Sequence, residues 1–440
     1  MSKTKYRLLL AAILTGTFLV PVNSTMITIG LTTIAQVFDH SLAEVSWIIT
    51  IYLIVMAATQ PVAGKLGDLF GYKRMFLLGL VLSFIGSIAC AFAFNLWSMI
   101  VFRSFQALGG SLAVPNGTAL LRHAVGREKL SRTFGLFGLL MGLGAAVGPL
   151  IGSALIGSWG WKSIFWVNIP FLILSFVIAL FVLPNTERKR TPIDALGSLS
   201  LASSLSLIVL FITHPEWIRW WSVVLLAFSI VFFIVVELKL KNPLIEFSLF
   251  RKPSFRGANY AIFLSNSIMY GTILIIPILF EQTFLISIQR IGLFMFVFSL
   301  SMSLCSWLGG RLSTVISHQR LIGLAFLLQG ISVSLFLILS AQTPLFLILL
   351  TLIIGGLGAG IGLPSMQTKN LESIVKEKSG VASGIYSTFR YMGSMLASAL
   401  VSILFQSIQI FYIFIGLALL GWLVSFTIKE TSSIDEQISA

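Results

Sequence analysis

The chain of 440 residues is poor in charge: Asp, Glu, Lys and Arg together make up 10% of it and hydrophobic residues 57%. A soluble domain carries roughly a quarter charged residues, so water is excluded as the main solvent and no soluble catalytic domain fits. There are only two cysteines, Cys90 and Cys305, both inside apolar runs. The four histidines, His40, His123, His214 and His318, stand alone near the ends of such runs. This spacing gives neither a disulfide framework nor a set of metal ligands, and no cofactor is expected. Acid is scarcer than base, leaving a formal charge of +14. Nucleic-acid binding would need that charge gathered on one surface, but it is scattered in short clusters between apolar runs. The expected partner is a lipid bilayer, with no nucleic acid.

A bilayer core takes about 20 apolar residues per crossing, and fourteen stretches have that length. They run over 7–30, 45–66, 74–95, 97–120, 133–158, 163–183, 193–213, 218–238, 256–281, 286–310, 319–340, 344–366, 380–406 and 409–428. With the N-terminus in the cytoplasm, the basic residues lie in cytoplasmic loops except for Lys162, Arg219 and Arg290 outside, and Arg103 and Arg390 within spans. The positive-inside bias therefore places both termini in the cytoplasm. Lys3, Lys5 and Arg7 ahead of the first apolar run resemble a signal peptide, but no A-x-A site follows, so an uncleaved first span is expected. Trp47, Trp97, Trp159, Trp161, Trp217, Trp220 and Trp221 fall at outer span ends, where indoles anchor in the headgroup layer. Ser41-Leu-Ala-Glu44 has the spacing of a capping box.

A shift of 249 residues superposes Gly109 on Gly358, Pro115 on Pro364, Gly135 on Gly384 and Gly144 on Gly393. Such a parallel repeat predicts two six-helix bundles, residues 1–183 and 256–440, with two extra spans and linkers in 184–255. The glycines Gly355, Gly356, Gly358, Gly360 and Gly362 lie inside an apolar span with no preceding strand and no Gly-Lys-Ser/Thr, so they suit helix packing and not a nucleotide loop.

The loop after the second span reads Gly64-Lys-Leu-Gly-Asp68-Leu-Phe-Gly71-Tyr-Lys73-Arg74. Its glycines let helix ends approach, and Asp68 can pair with a basic group or cap a helix, forming a latch that breaks and reforms. The pattern recurs in decayed form at Gly310-Arg-Leu-Ser-Thr314, where Thr314 replaces the acid. This loop resembles the major facilitator superfamily. Arg103-Ser-Phe-Gln106-Ala-Leu-Gly109 resembles that family's Arg-x-x-Gln-Gly motif, and Gly144-Ala-Ala-Val-Gly148-Pro149-Leu-Ile-Gly152 resembles its antiporter motif. Trp161-Lys-Ser-Ile-Phe165-Trp-Val-Asn168-Ile-Pro170 and Pro192-Ile-Asp194-Ala-Leu-Gly197 are similar to the fourteen-span drug:proton antiporter branch.

The resemblance implies an all-α major facilitator fold of fourteen transmembrane helices arranged 6+2+6. It further implies a monomer in the cytoplasmic membrane that expels amphipathic small molecules in exchange for protons. Asn23, Thr25, Gln106 and Arg390 are then candidates for the substrate cavity. Arg103 either faces that cavity or snorkels to the outer headgroups, since a charge within a span is costly. The branch shows an Asp in the first span where this chain has Asn23, which carries no proton. Glu281 is the one acid plausibly inside a span, and it either titrates with Arg103 nearby or simply ends its helix. The absence of a first-span acid keeps open an exporter of one neutral or anionic metabolite, lipid or peptide, and a non-transporting membrane sensor is a further alternative. Reporter fusions at residue 440 and after residue 214 should report opposite sides of the membrane; the same side for both would mean a miscounted span.

Overall fold

The computed structural model describes residues 3–185, 195–213, 217–239, 247–280, 288–340, 342–404 and 407–429. Lipid offers the backbone no hydrogen bonds, so apolar runs of this length close their amide groups internally as helices. In chain order these are α1 (Lys3–Phe38), α2 (Leu42–Val45), α3 (Trp47–Phe70), α4 (Tyr72–Ala91), α5 (Leu96–Ala124) and α6 (Arg127–Trp159). Then come α7 (Ser163–Trp166), α8 (Asn168–Val182), α9 (Ala195–Thr213), α10 (Trp220–Lys239), α11 (Pro253–Ile278) and α12 (Ile288–Leu312). The last five are α13 (His318–Phe336), α14 (Leu345–Ile361), α15 (Leu363–Glu372), α16 (Ser379–Leu404) and α17 (Gln409–Ser425). With α2 as a loop turn, and α7–α8 and α14–α15 each taken as one segment, fourteen helical segments result among the described residues. Nine of these segments are long and apolar enough to cross a membrane by length and composition alone.

Several boundaries depart from the apolar stretches for visible reasons. α1 continues past residue 30 until Asp39, whose φ of 55° ends it. The stretch 344–366 is two helices, because α15 opens with Pro364 in its first turn, where the missing N–H costs least. α6, in contrast, runs unbroken through Pro149. The Ser41–Glu44 capping box forms, but on α2: Ser41 N–H donates to the Glu44 carboxylate (2.9 Å) and Glu44 N–H to the Ser41 hydroxyl (3.3 Å). The bond from the Ser41 backbone holds the Glu44 carboxyl below its ordinary range. Trp161 is not a headgroup anchor. Gly160, at φ 77°, reverses the chain and turns the Trp161 ring inward onto Phe38 and Phe165, leaving it 6% exposed. Trp159 and Trp97 are exposed, as expected of anchors.

The chain divides into two compact units. One comprises Met1–Gly126, Leu140–Glu246 and Val375–Tyr391, the other Arg127–Leu139, Phe247–Ile374 and Met392–Ala440. The start of α6 thus belongs to the second unit and the start of α16 to the first. In the first unit α9 packs on α3 and α10 on α9, with Ser204 and Ser229 hydrogen-bonded between α9 and α10 at 2.8 Å.

The 249-residue repeat is visible as repeated contacts inside each unit. Gly109 meets Gly79 and Ser83 of α4, and Gly358 meets Ala325, Leu328 and Gln329 of α13. Gly144 lies on Phe18 and Val22 of α1, and Gly393 on Phe263, Asn266 and Ser267 of α11. Gly135 packs on the backbone of α12 at Ser306, Trp307 and Gly310, just as Gly384 packs on α3 at Gln60 and Pro61. A Cβ at Gly109 would stand 2.6 Å from the Gly79 carbonyl oxygen, whereas one at Gly157 would meet nothing within 4 Å. Gly109→Ala should therefore cost on the order of 1–3 kcal/mol, read as a lowered melting temperature in detergent. Gly157→Ala should cost nothing; equal melting of the two variants would contradict this packing.

Candidate functional site

The motif Gly64–Arg74, read from the sequence as a loop, is the last turns of α3 and the first of α4 with Gly71 alone between them, and it closes around the first turn of α16 inside the first unit. Gly71 must be glycine: its φ of 96° lets one residue end α3 and begin α4, with its N–H on the Gly67 carbonyl. That turn leaves Asp68 buried, at 8% exposure, facing the open amides of α16. Its carboxylate accepts from Gly380 N–H (2.8 Å), Val381 N–H (3.1 Å) and the Tyr72 hydroxyl (2.7 Å). A helix N-terminus carries partial positive charge and unbonded N–H groups, so a carboxylate there makes strong, charge-assisted bonds. Backbone contact between Gly64 and Gly380 permits the approach. Arg122 Nη1 donates to the Ser379 hydroxyl (2.8 Å), and His123 Nε2 lies 2.9 Å from the Lys376 carbonyl oxygen. Lys73 donates to the Leu180 carbonyl at the end of α8 (2.8 Å), and Arg74 is exposed.

The decayed repeat makes the matching contact in the second unit without an acid. There Gly310 meets Ser131, and the Arg132 guanidinium donates to the Thr314 hydroxyl (3.3 Å).

Arg103 is 1% exposed, so the headgroup alternative is not what the structure shows. Its Nη1 donates to Gln106 Oε1, and Gln106 Nε2 donates to the Ser87 hydroxyl at 2.8 Å. Its Cζ stands 4.4 Å from the centre of the Tyr52 ring, a cation–π contact. Nε and Nη2 have no hydrogen-bond partner among the described residues. Tyr52 and Met56 form a small buried cluster that Tyr391 of α16 joins, and the Arg390 guanidinium stands 5.4 Å from the Tyr391 ring.

The other candidates lie in helix contacts. Asn168 Nδ2 donates to Asn23 Oδ1 (2.8 Å), tying α8 to α1. The Thr25 hydroxyl donates to the Pro21 carbonyl of its own helix (3.0 Å) and lies under Gly148. Gly144, Gly148 and Gly152 form one stripe of α6 against Phe18, Val22, Thr25 and Met26 of α1, with Pro149 beside it. Glu281 lies outside the described residues.

The family model described as Major Facilitator Superfamily matches residues 13–250 and 259–437 of this helical chain. The chain belongs to this superfamily. As such it is a multi-pass transporter of the cell membrane and not an enzyme. The uncharacterized MFS-type transporter YvkA of Bacillus subtilis is 42% identical, over 99% of both chains. The riboflavin transporter RibZ of Clostridioides difficile is 28% identical, over 90% of this chain and 88% of its own. Multidrug resistance protein 3 of Bacillus subtilis is 26% identical, over 81% and 71%. The crystal structure of the human organic anion transporter MFSD10 shares the fold, with a TM-score of 0.70 at 16% identity, covering 95% of this chain and 99% of that one.

In this major facilitator protein the most heavily bonded site is the Asp68 clamp, and three of its members escape a reading of the sequence. Tyr72, Arg122 and His123 look like ordinary residues of a basic loop, and only the fold brings residues 375–381 to them. Hydrogen bonds to a charged group are worth about 1.5–3 kcal/mol, so Asp68→Ala should free the start of α16 roughly ten- to hundredfold more often. The measurement is the labelling rate of Ser383→Cys, a buried position, by an impermeant thiol reagent after Cys90 and Cys305 are replaced by Ala. An unchanged rate in the Asp68→Ala background would sink the clamp.

Proposed function

We propose that this transporter exports amphipathic compounds in exchange for protons by alternating access, with a 6+2+6 arrangement, both termini in the cytoplasm and a monomer as the working unit. The observation that carries the reading is the Asp68 clamp: a carboxylate holding a helix N-terminus can release and re-engage without rebuilding either helix. The glycine stripe Gly144–Gly152 of α6 against α1 supports it, because small residues let long helices pack at close range. The multidrug relative supports the breadth of substrate, and the scarcity of acid elsewhere makes Glu281 the proposed coupling carboxyl. One proton entering yields about 2.3 kcal/mol per 100 mV of potential, and a tenfold substrate gradient costs about 1.4 kcal/mol. A single proton therefore sustains export against more than a tenfold gradient.

A second reading, export of a particular neutral or anionic metabolite, is favoured by one observation. Asn23 offers no charge and its Oδ1 accepts from Asn168, and the least exposed charged side chain among the described residues of the first unit is the cation Arg103. The test of coupling uses proteoliposomes in which pH-driven efflux and substrate counterflow are both measured. Glu281→Gln should lose the first and keep the second. Normal pH-driven efflux by this variant would remove Glu281 from the mechanism, and efflux indifferent to a protonophore would remove the proton.

A further inference from the structure

Among the buried polar side chains described in the first unit, Arg103 and Gln60 each leave two polar atoms without a hydrogen bond. Arg103 uses one nitrogen, Nη1, on Gln106, which leaves Nε and Nη2 without hydrogen bonds among the described residues. Those two nitrogens form the side edge of the guanidinium, whose parallel N–H groups match the two oxygens of a carboxylate. Gln60 is 0% exposed, and neither its Oε1 nor its Nε2 has a partner among the described residues. Buried polar groups in native proteins are nearly always bonded, so exceptions call for an explanation. Here the explanation lies in what covers them. Tyr52, Met56 and Gln60 follow at intervals of four along one face of α3, and the first half of α16 lies on that face. Tyr391 packs against the Tyr52–Met56 cluster, and the backbone at Gly384 sits on Gln60. Further along the same seam, Asp68 holds the first turn of α16. Release of α16 at the clamp therefore bares the Gln60 backbone and the Tyr52–Met56 cluster, and with it the Tyr52 ring on which the Arg103 guanidinium stands.

We infer that the Arg103 side edge is the subsite for the carboxylate of an amphipathic organic anion, with Tyr52 and Met56 against its apolar body and Gln60 as a second polar contact about 12 Å along α3. The assignment rests on the chain being a small-molecule exporter and names its substrate class. Charge agrees with it. Asp68, the buried acid among the described residues of the first unit, is already engaged at the clamp, so no described carboxylate neutralises Arg103. A cationic substrate placed on this face would meet the guanidinium with like charge, whereas an anion replaces the missing partner. Lys in place of Arg103 keeps the charge but has no planar fork.

The experiment uses the full-length protein in proteoliposomes and three probes of one shape: 1-naphthoate, its neutral amide, and 1-naphthylmethylammonium. Wild-type protein should bind naphthoate at least tenfold more tightly than either of the others. Arg103→Lys should cut that preference to threefold or less, and Arg103→Gln should abolish it. Gln60→Leu should leave both the affinity and the preference unchanged, since these probes carry one polar group and do not reach it; should the Arg103 variants fail to insert, the wild-type ranking of the three probes decides the matter. Equal binding of the three probes, no binding of naphthoate, or a preference that survives Arg103→Gln overturns the assignment. Counterflow in the same vesicles separates this from the export proposal: anion-selective binding without flux would sink the exporter alone, and flux without anion preference would sink the subsite alone.

Discussion

Among lipid tails, helices gain little by hiding apolar surface from one another, so their association depends on close van der Waals contact between backbones. Glycine supplies that contact throughout this protein. Gly79 and Gly109 join α4 to α5, Gly144, Gly148 and Gly152 join α6 to α1, and Gly64 and Gly380 join α3 to α16. At each crossing a single added carbon would strike backbone or a packed side chain. Polar side chains act where such contact has already brought the chains together: the Asp68 carboxylate reaches the α16 amides because Gly64 and Gly380 let the two helix ends touch.

That dependence divides the buried polar groups into two kinds. Asn23, Asn116, Asn168 and Gln106 cross-link helices that glycine has placed side by side, and their bonds fasten the scaffold. Asn116 and Asn168 leave only one atom each unbonded, whereas Arg103 and Gln60 each keep two, Gln60 beneath α16 and Arg103 against the Tyr52 ring. The first kind resists motion and the second has something to gain from it. A transporter needs both, because rigid bundles confine the change of shape to one seam.

How far the sequence carries depends on whether a partner lies near or far along the chain. The glycines of the 249-residue repeat, the Gly71 turn and the Ser41–Glu44 box are all legible, since each depends on a local spacing or a repeated one. Asp68 stands out for its loop, yet its partners Gly380 and Val381 lie 312 and 313 residues away, and no spacing announces them. Asn23 reads as a cavity candidate, and its bond to Asn168, 145 residues on, is likewise announced by no spacing. Trp161 misleads because the aromatic-belt rule places residues by depth alone, whereas the positive φ of Gly160 decides which way this ring faces. For Arg103 the sequence leaves open a cavity-facing guanidinium or one that snorkels to the headgroups, and its burial against the Tyr52 ring of the neighbouring helix speaks against the second.

The hairpin α9–α10 has a mechanical consequence. α3 carries the clamp, takes α16 along one face and holds α9 on another, and α10 is attached through α9. α10 spans about 30 Å at 1.5 Å per residue, close to the thickness of a bilayer core, and Trp220, Val224, Phe228 and Val231 are left exposed along it. Any shift of α3 must drag this greasy outrigger sideways through the annulus of acyl chains. In the proposed mechanism the membrane therefore acts as a load on α3, and acyl-chain length becomes a physical setting of turnover: a bilayer that matches the hairpin lets α3 move cheaply, and one that is too thin or too thick holds it back.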